Sequence, residues 1–178
     1  MSERGFSLLE VLVALVVIAV GLLGIGKMQA LALASTHSAS MRSLAAIEAA
    51  SLAAAMHADR DYWDGTPPVT TTVSGAAVTS STSGFPASGA DCSASTGSVP
   101  CTPIVLASYD LQQWALALDQ LLPNASATIS CPNQTPPLSC TIQIDWSENA
   151  VAINSTEATA SSTTEQFDNP TYTLYVEP

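Results

Sequence analysis

Glu10 is the side chain in this sequence that most needs a chemical explanation. It is the only charged residue among the twenty from Phe6 to Ile25. Twenty apolar residues at ~1.5 Å rise per residue span a ~30 Å hydrocarbon layer. A carboxylate in such a segment costs roughly 2.5–3.5 kcal/mol where it meets lipid near a helix centre, and less toward the end. A plain anchor has no use for it, so Glu10 is expected to meet a positive partner that arrives on assembly. The spacing names one. Cleavage after Gly5 would give Phe6 a new α-amino group, with Glu10 four residues along the same helix. An amine on one chain and a carboxylate on a parallel neighbour would then neutralise each other inside an apolar bundle. An exposed ion pair contributes little, but a desolvated one makes each partner hard to remove.

Four cysteines are the next candidates: Cys92, Cys101, Cys131 and Cys140. They fall into two pairs with eight intervening residues each, which is not a zinc spacing. All four follow the apolar segment, so on a periplasmic face disulfides are their natural state. Of the three pairings open to four cysteines, Cys92–Cys101 with Cys131–Cys140 is expected, because the second pair can face across a hairpin. The two histidines, His37 and His57, lie twenty residues apart on one expected helix. No Ser-His-Asp or Cys-His arrangement emerges. The run Asp59–Gly65 has the acids of a calcium loop, but Trp63 stands at its third ligand position and Thr70 at its bidentate glutamate. A helix end entering a turn is expected there, and no metal. Sequons at Asn124, Asn133 and Asn154 are a chance consequence of a Ser/Thr-rich chain. The residues point to neither an enzyme nor a cofactor.

Charge narrows the partners. The chain has 178 residues, a formal net charge of −11 and a pI near 4.1, so a grip on nucleic acid is excluded. Its bases are Arg4, Lys27, Arg42 and Arg60; from Asp61 onward come eleven acids and no Lys or Arg. An acidic exterior of this kind keeps a domain soluble.

The elements that position these residues follow from local pattern. No proline precedes Pro67, so one helix is predicted from Phe6 to about Arg60, on the order of 80 Å long. Its second half is rich in alanine, a strong helix former, with Met41, Leu44, Leu52 and Met56 between the alanines. These large residues alone do not make one clean stripe. Gly21, Gly24 and Gly26 lie near the membrane exit, where they form either a weak point or close helix contacts. Residues 66–100 are almost wholly Thr, Ser, Gly, Ala and Pro and read as a long loop or one with short strands. Thr102-Pro103 then offers an N-cap and first-turn proline. Ala107, Leu111, Trp114, Leu118 and Leu121 recur at helical steps, so an amphipathic helix should run to about Leu122, ended by Pro123. Alternation with period two predicts strands at Thr128–Cys131, Cys140–Trp146 and Thr171–Val176, with both hairpin cysteines on the buried face. Residues 147–169 are a polar connection. The fold class is α+β: a long N-terminal helix on a small antiparallel sheet, with a second short helix.

Gly5-Phe6-Ser7-Leu8-Leu9-Glu10 before an apolar helix resembles the class III signal of type IV pilins and type II secretion pseudopilins. The resemblance implies cleavage by a prepilin peptidase between Gly5 and Phe6, N-methylation of Phe6, and a subunit-assembly role for Glu10. It implies a pilin-like fold divided as leader 1–5, transmembrane half-helix 6–26, periplasmic half-helix 27–60 and a disulfide-stapled periplasmic domain 61–178. Cys101-Thr102-Pro103, the run Tyr109–Trp114, Leu121-Leu122-Pro123 and the strand Ile142–Trp146 look like the periplasmic half of PilV-type minor pilins. That likeness implies a non-enzymatic minor pilin, anchored once in the inner membrane, that takes part in priming and assembling type IV pili. Its partners would be other minor pilins, the major pilin, the peptidase and the assembly platform. A minor pseudopilin shares the same signal. A Sec-exported periplasmic binding module, cut at Ala30-Leu31-Ala32 or Ala32-Leu33-Ala34, is the rival from another class. Against it, the first ten residues hold Glu3 and Glu10 against only Arg4, where a signal should be basic.

Overall fold

A computed structural model of the chain describes residues 8–65, 67–81, 85, 92, 101–133, 137–149 and 167–178. The first helix, α1, runs unbroken over Leu8–Ala58, 51 residues. The absence of proline and the density of alanine and leucine explain its length despite Gly21, Gly24 and Gly26. A four-residue α2 follows at Arg60–Trp63. It places the buried side chains of Tyr62 and Trp63 under the end of α1, their rings edge to face at 5.2 Å. This is the turn expected at Asp59–Gly65.

Helix α3 spans Pro103–Leu121 with Pro103 in its first turn. Thr102 stands at the N-cap in extended geometry, but its side chain makes no capping bond, contrary to expectation. Its carbonyl instead accepts the backbone N–H groups of Val105 and Leu106, each at 2.9 Å. The apolar face of α3 departs from prediction at its end. Leu121 is 40% exposed and Leu122 only 1%. The helix stops at Leu121 and Leu122 is already extended, with φ −121°. The chain therefore turns there, and the side chain that drops into the core is the next one along.

Among the described residues seven strands form two sheets: β1 Thr70–Ser74, β2 Ala77–Ser80, β3 Ser126–Ser130, β4 Cys140–Asp145, β5 Glu148–Asn149, β6 Phe167–Asp168 and β7 Thr171–Val176. The larger sheet is fully antiparallel in the order β2-β1-β3-β4-β7, and β5 pairs with β6. The strands from period-two alternation lie where the sequence puts them. The hairpin β1–β2 gives definite form to part of a stretch whose composition reads as loop. Its two-residue turn begins at Gly75, whose φ of +55° suits a residue without Cβ. Val73 and Val78 are direct partners across the hairpin, and both are buried.

The helices cover one face of the large sheet. Val73, Ala127, Ile129, Ile142, Ile144 and Val176 point into the core against Ala45, Ala49, Leu52 and Met56 of α1 and Ala107, Leu111 and Leu118 of α3. On α1 these residues step by four, three and four, so a clean stripe does exist once alanines are counted with the larger residues. The opposite sheet face carries Thr72, Thr128, Gln143 and Thr173 in one row of cross-strand partners. The result is α+β, a long N-terminal helix packed on a small antiparallel sheet with further helices. It is the pilin-like architecture that the N-terminal resemblance implies.

Candidate functional site

The site begins with a helix that is two objects in one. From Leu8 to Ala30 every residue of α1 is exposed, including Leu8, Val16, Leu23 and Ile25. This half is long and apolar enough to cross a membrane. Glu10 lies in the first described turn of α1 and is exposed. Gly5 and Phe6, the expected cleavage and methylation residues, lie outside the described residues. Gly21, Gly24 and Gly26 have open space around them, so nothing among the described residues requires glycine there.

The second half of α1 is bound to the domain by side chains that hydrophobic patterning registers only as apolar. The Trp114 indole on α3 donates to the backbone carbonyl of Glu48 at 2.9 Å. The Trp146 indole, just past β4, donates to Glu148 Oε1 at 2.9 Å, and Ser38 of α1 donates to Glu148 Oε2 at 2.7 Å. One carboxylate thus links the sheet end to the helix ten residues before the Trp114 contact. The available signal was chemical: an indole N–H that is buried needs an acceptor. Together the two links fix how the exposed half of α1 leaves the domain.

The cysteines close two short loops. Cys92 and Cys101 are bonded with Cα atoms 6.0 Å apart, and Cys131 and Cys140 with Cα atoms 4.2 Å apart. The second pair is buried beside Ile129 and Ile142, where β3 leaves and β4 enters the sheet. His37 and His57 are both exposed on α1. They stay twenty positions apart on one rod, and nothing brings them together.

The electrostatics of the domain are those of acids without bases. Asp59 is 6% exposed, and its Oδ2 has no hydrogen-bond partner. Burial raises its pKa above the usual carboxylate value, and the charges of Asp110 and Asp61 raise it further. Burial likewise raises Glu48 and Asp110. The Tyr62 phenol is pushed up to about 12 by burial and by the Asp59 charge. Among the described residues no group of three or more His, Cys, Asp and Glu could hold a metal ion.

This arrangement can anchor and assemble. An exposed apolar helical segment carrying one carboxylate continues into the part of α1 that packs on an acidic domain. The comparison with protein families agrees in kind. A family model described as the prokaryotic N-terminal methylation motif matches residues 1–26. Comparisons with curated proteins and with solved structures returned no match. The matched segment supports a type IV pilin-like protein, in general a component of a pilus or pseudopilus, and points to a structural role, with membrane anchoring through α1.

Proposed function

We propose that this chain is a minor pilin. It is made as an inner-membrane precursor with a single span at residues 6–26, its domain on the periplasmic side. A prepilin peptidase cuts after Gly5, Phe6 is methylated, and the mature subunit joins a type IV pilus or the complex that primes it. Other minor pilins, the major pilin and the assembly platform are its partners. The observation that carries this reading is the methylation motif over residues 1–26 continuing without a break into α1, whose far half is part of the domain core. The same continuity weighs against a Sec-type cut near Ala32 or Ala34, which would sever α1 within one helix.

The mature terminus tests the reading. Intact mass of the membrane-extracted chain should correspond to N-methylated Phe6. A product starting near Ser35 would sink it. Gly5→Ala should slow cleavage, because a methyl group crowds a peptidase subsite shaped for glycine, and precursor should accumulate on a gel. Deleting the gene then separates pilus from secretion system: piliation should fall while export of secreted enzymes stays intact.

A further inference from the structure

Between α1 and α3 lies a groove of about 350 Å³, with Glu48, Ser51 and Ala55 on one wall and Asp110, Gln113 and Trp114 on the other. Both carboxylates lining it lack a basic partner among the described residues. Asp59, just past the end of α1, does not line the groove. It lies near enough to Asp110 for the two charges to repel, with its Oδ2 buried and unbonded. The nearest base in sequence, Arg60, is exposed and donates to the carbonyl of Pro178 at 3.2 Å. The Trp114 N–H is already engaged by the Glu48 carbonyl, so the ring acts as a fixed wall. The groove therefore has the shape for a side chain and an unanswered negative charge.

We propose that this groove docks an arginine side chain from a different, basic subunit, recognised by Glu48 and Asp110. The proposal rests on the fibre-subunit reading for the supply of such neighbours. A guanidinium fits better than an ammonium. It carries five donors in a planar fork, is more weakly hydrated, and lies well against an indole. A second copy of this chain is a poor occupant. It has Arg42 exposed on α1, but it brings a domain with eleven acids and no base from Asp61 onward. Like charges set face to face suppress such a pairing.

The test uses the full chain in its own cells, with a benzophenone amino acid replacing Gln113, an exposed residue of the groove wall. Illumination should link it to an arginine-containing peptide of a second protein. Glu48→Gln with Asp110→Asn should cut the adduct on the order of thirty-fold, with chain level unchanged and protease resistance no lower than that of the unaltered chain. Asp110→Arg should abolish the adduct, and the reciprocal arginine→aspartate change in the partner should restore it. The proposal falls if the adduct is indifferent to neutralisation. It falls equally if the adduct joins two copies of this chain, joins lipid or a peptide without arginine, or does not form. The fibre reading fails separately: a chain left uncut after Gly5 with a charge-dependent adduct keeps the groove and loses the pilus.

Discussion

Asp59 carries a buried charge that no neighbour neutralises, and its pH behaviour follows from that. Its folded pKa is raised above the ordinary 3.8 by burial first, then by Asp110 and Asp61. The folded chain therefore holds this proton more tightly than the unfolded chain does. Stability from the group is fully present below the ordinary value and is lost as pH rises through the raised one. Glu48 and Asp110, also raised by burial, act in the same direction. Of the groups around Asp59, Asp110 and Asp61 are acids, Tyr62 is neutral across this range, and the Arg60 guanidinium is turned to Pro178. The detergent-extracted chain should accordingly melt at a higher temperature near pH 5 than near pH 7.5. Asp59→Asn should raise the neutral melting temperature by about 2–4 °C, the shift that ~1 kcal/mol makes in a domain of this size, and flatten the pH slope. Melting that rises with pH would overturn the argument. None of this was legible in the sequence, where Asp59 reads as the end of a helix. Its burial depends on α2 and α3 closing over it, a tertiary fact with no local signature. Glu10 was legible for the opposite reason: an apolar run makes any charge conspicuous.

At the scale of elements, strongly periodic segments were readable and weakly patterned ones were not. Helix α3 and the strands β3, β4 and β7 each follow from a period of 3.6 or 2 in large apolar residues, and the long helix from its apolar run, its alanines and the absence of proline. The hairpin β1–β2 was obscured because Thr, Ser and Ala dominate it. Its usable signal was Gly75-Ala76 between two short runs, each with one valine. The stripe on α1 was obscured by size, since Ala45 and Ala49 are as fully buried as Met56. The bond between Cys131 and Cys140 has a consequence at this scale, because it staples the end of β3 to the start of β4. Closing a loop of about ten residues contributes roughly 2.5–3 kcal/mol through lost unfolded-state entropy. Cys131→Ala with Cys140→Ala should lower unfolding stability by about that much in denaturant titration, with β4 still paired to β7. Non-reducing peptide mapping that joins Cys101 to Cys131 would refute the pairing, and an unchanged stability would refute the argument.

For the whole molecule, the division of charge and greasiness along the chain sets what it can do. Four acids and four bases balance over residues 1–60, and the remainder holds the entire net charge of −11. The exposed apolar half of α1 needs lipid or other helices around it, and the acidic domain cannot enter either. That division was legible from composition alone. The identity of the neighbours was not, because a single chain records its own half of an interface and nothing of the other. Glu10 is where the missing half can be tested. Glu10→Val removes the one carboxylate from the apolar segment, so the precursor should insert at least as well. Cleavage after Gly5, five residues away, should continue. The domain, whose core begins at Ala45, should keep its fold. On the proposed pairing, the variant loses the acceptor for the methylated amine of an adjoining subunit, which would then stand unpaired in an apolar interior. An orphaned buried charge weakens an association constant by roughly two to three decades. Piliation and co-purification of partner subunits should therefore collapse in Glu10→Val cells, while chain level and the intact mass of the mature product stay normal. Wild-type fibre numbers in those cells would mean that Glu10 does not pair with a neighbour's terminus. Loss of the mature product instead would mean that it serves processing.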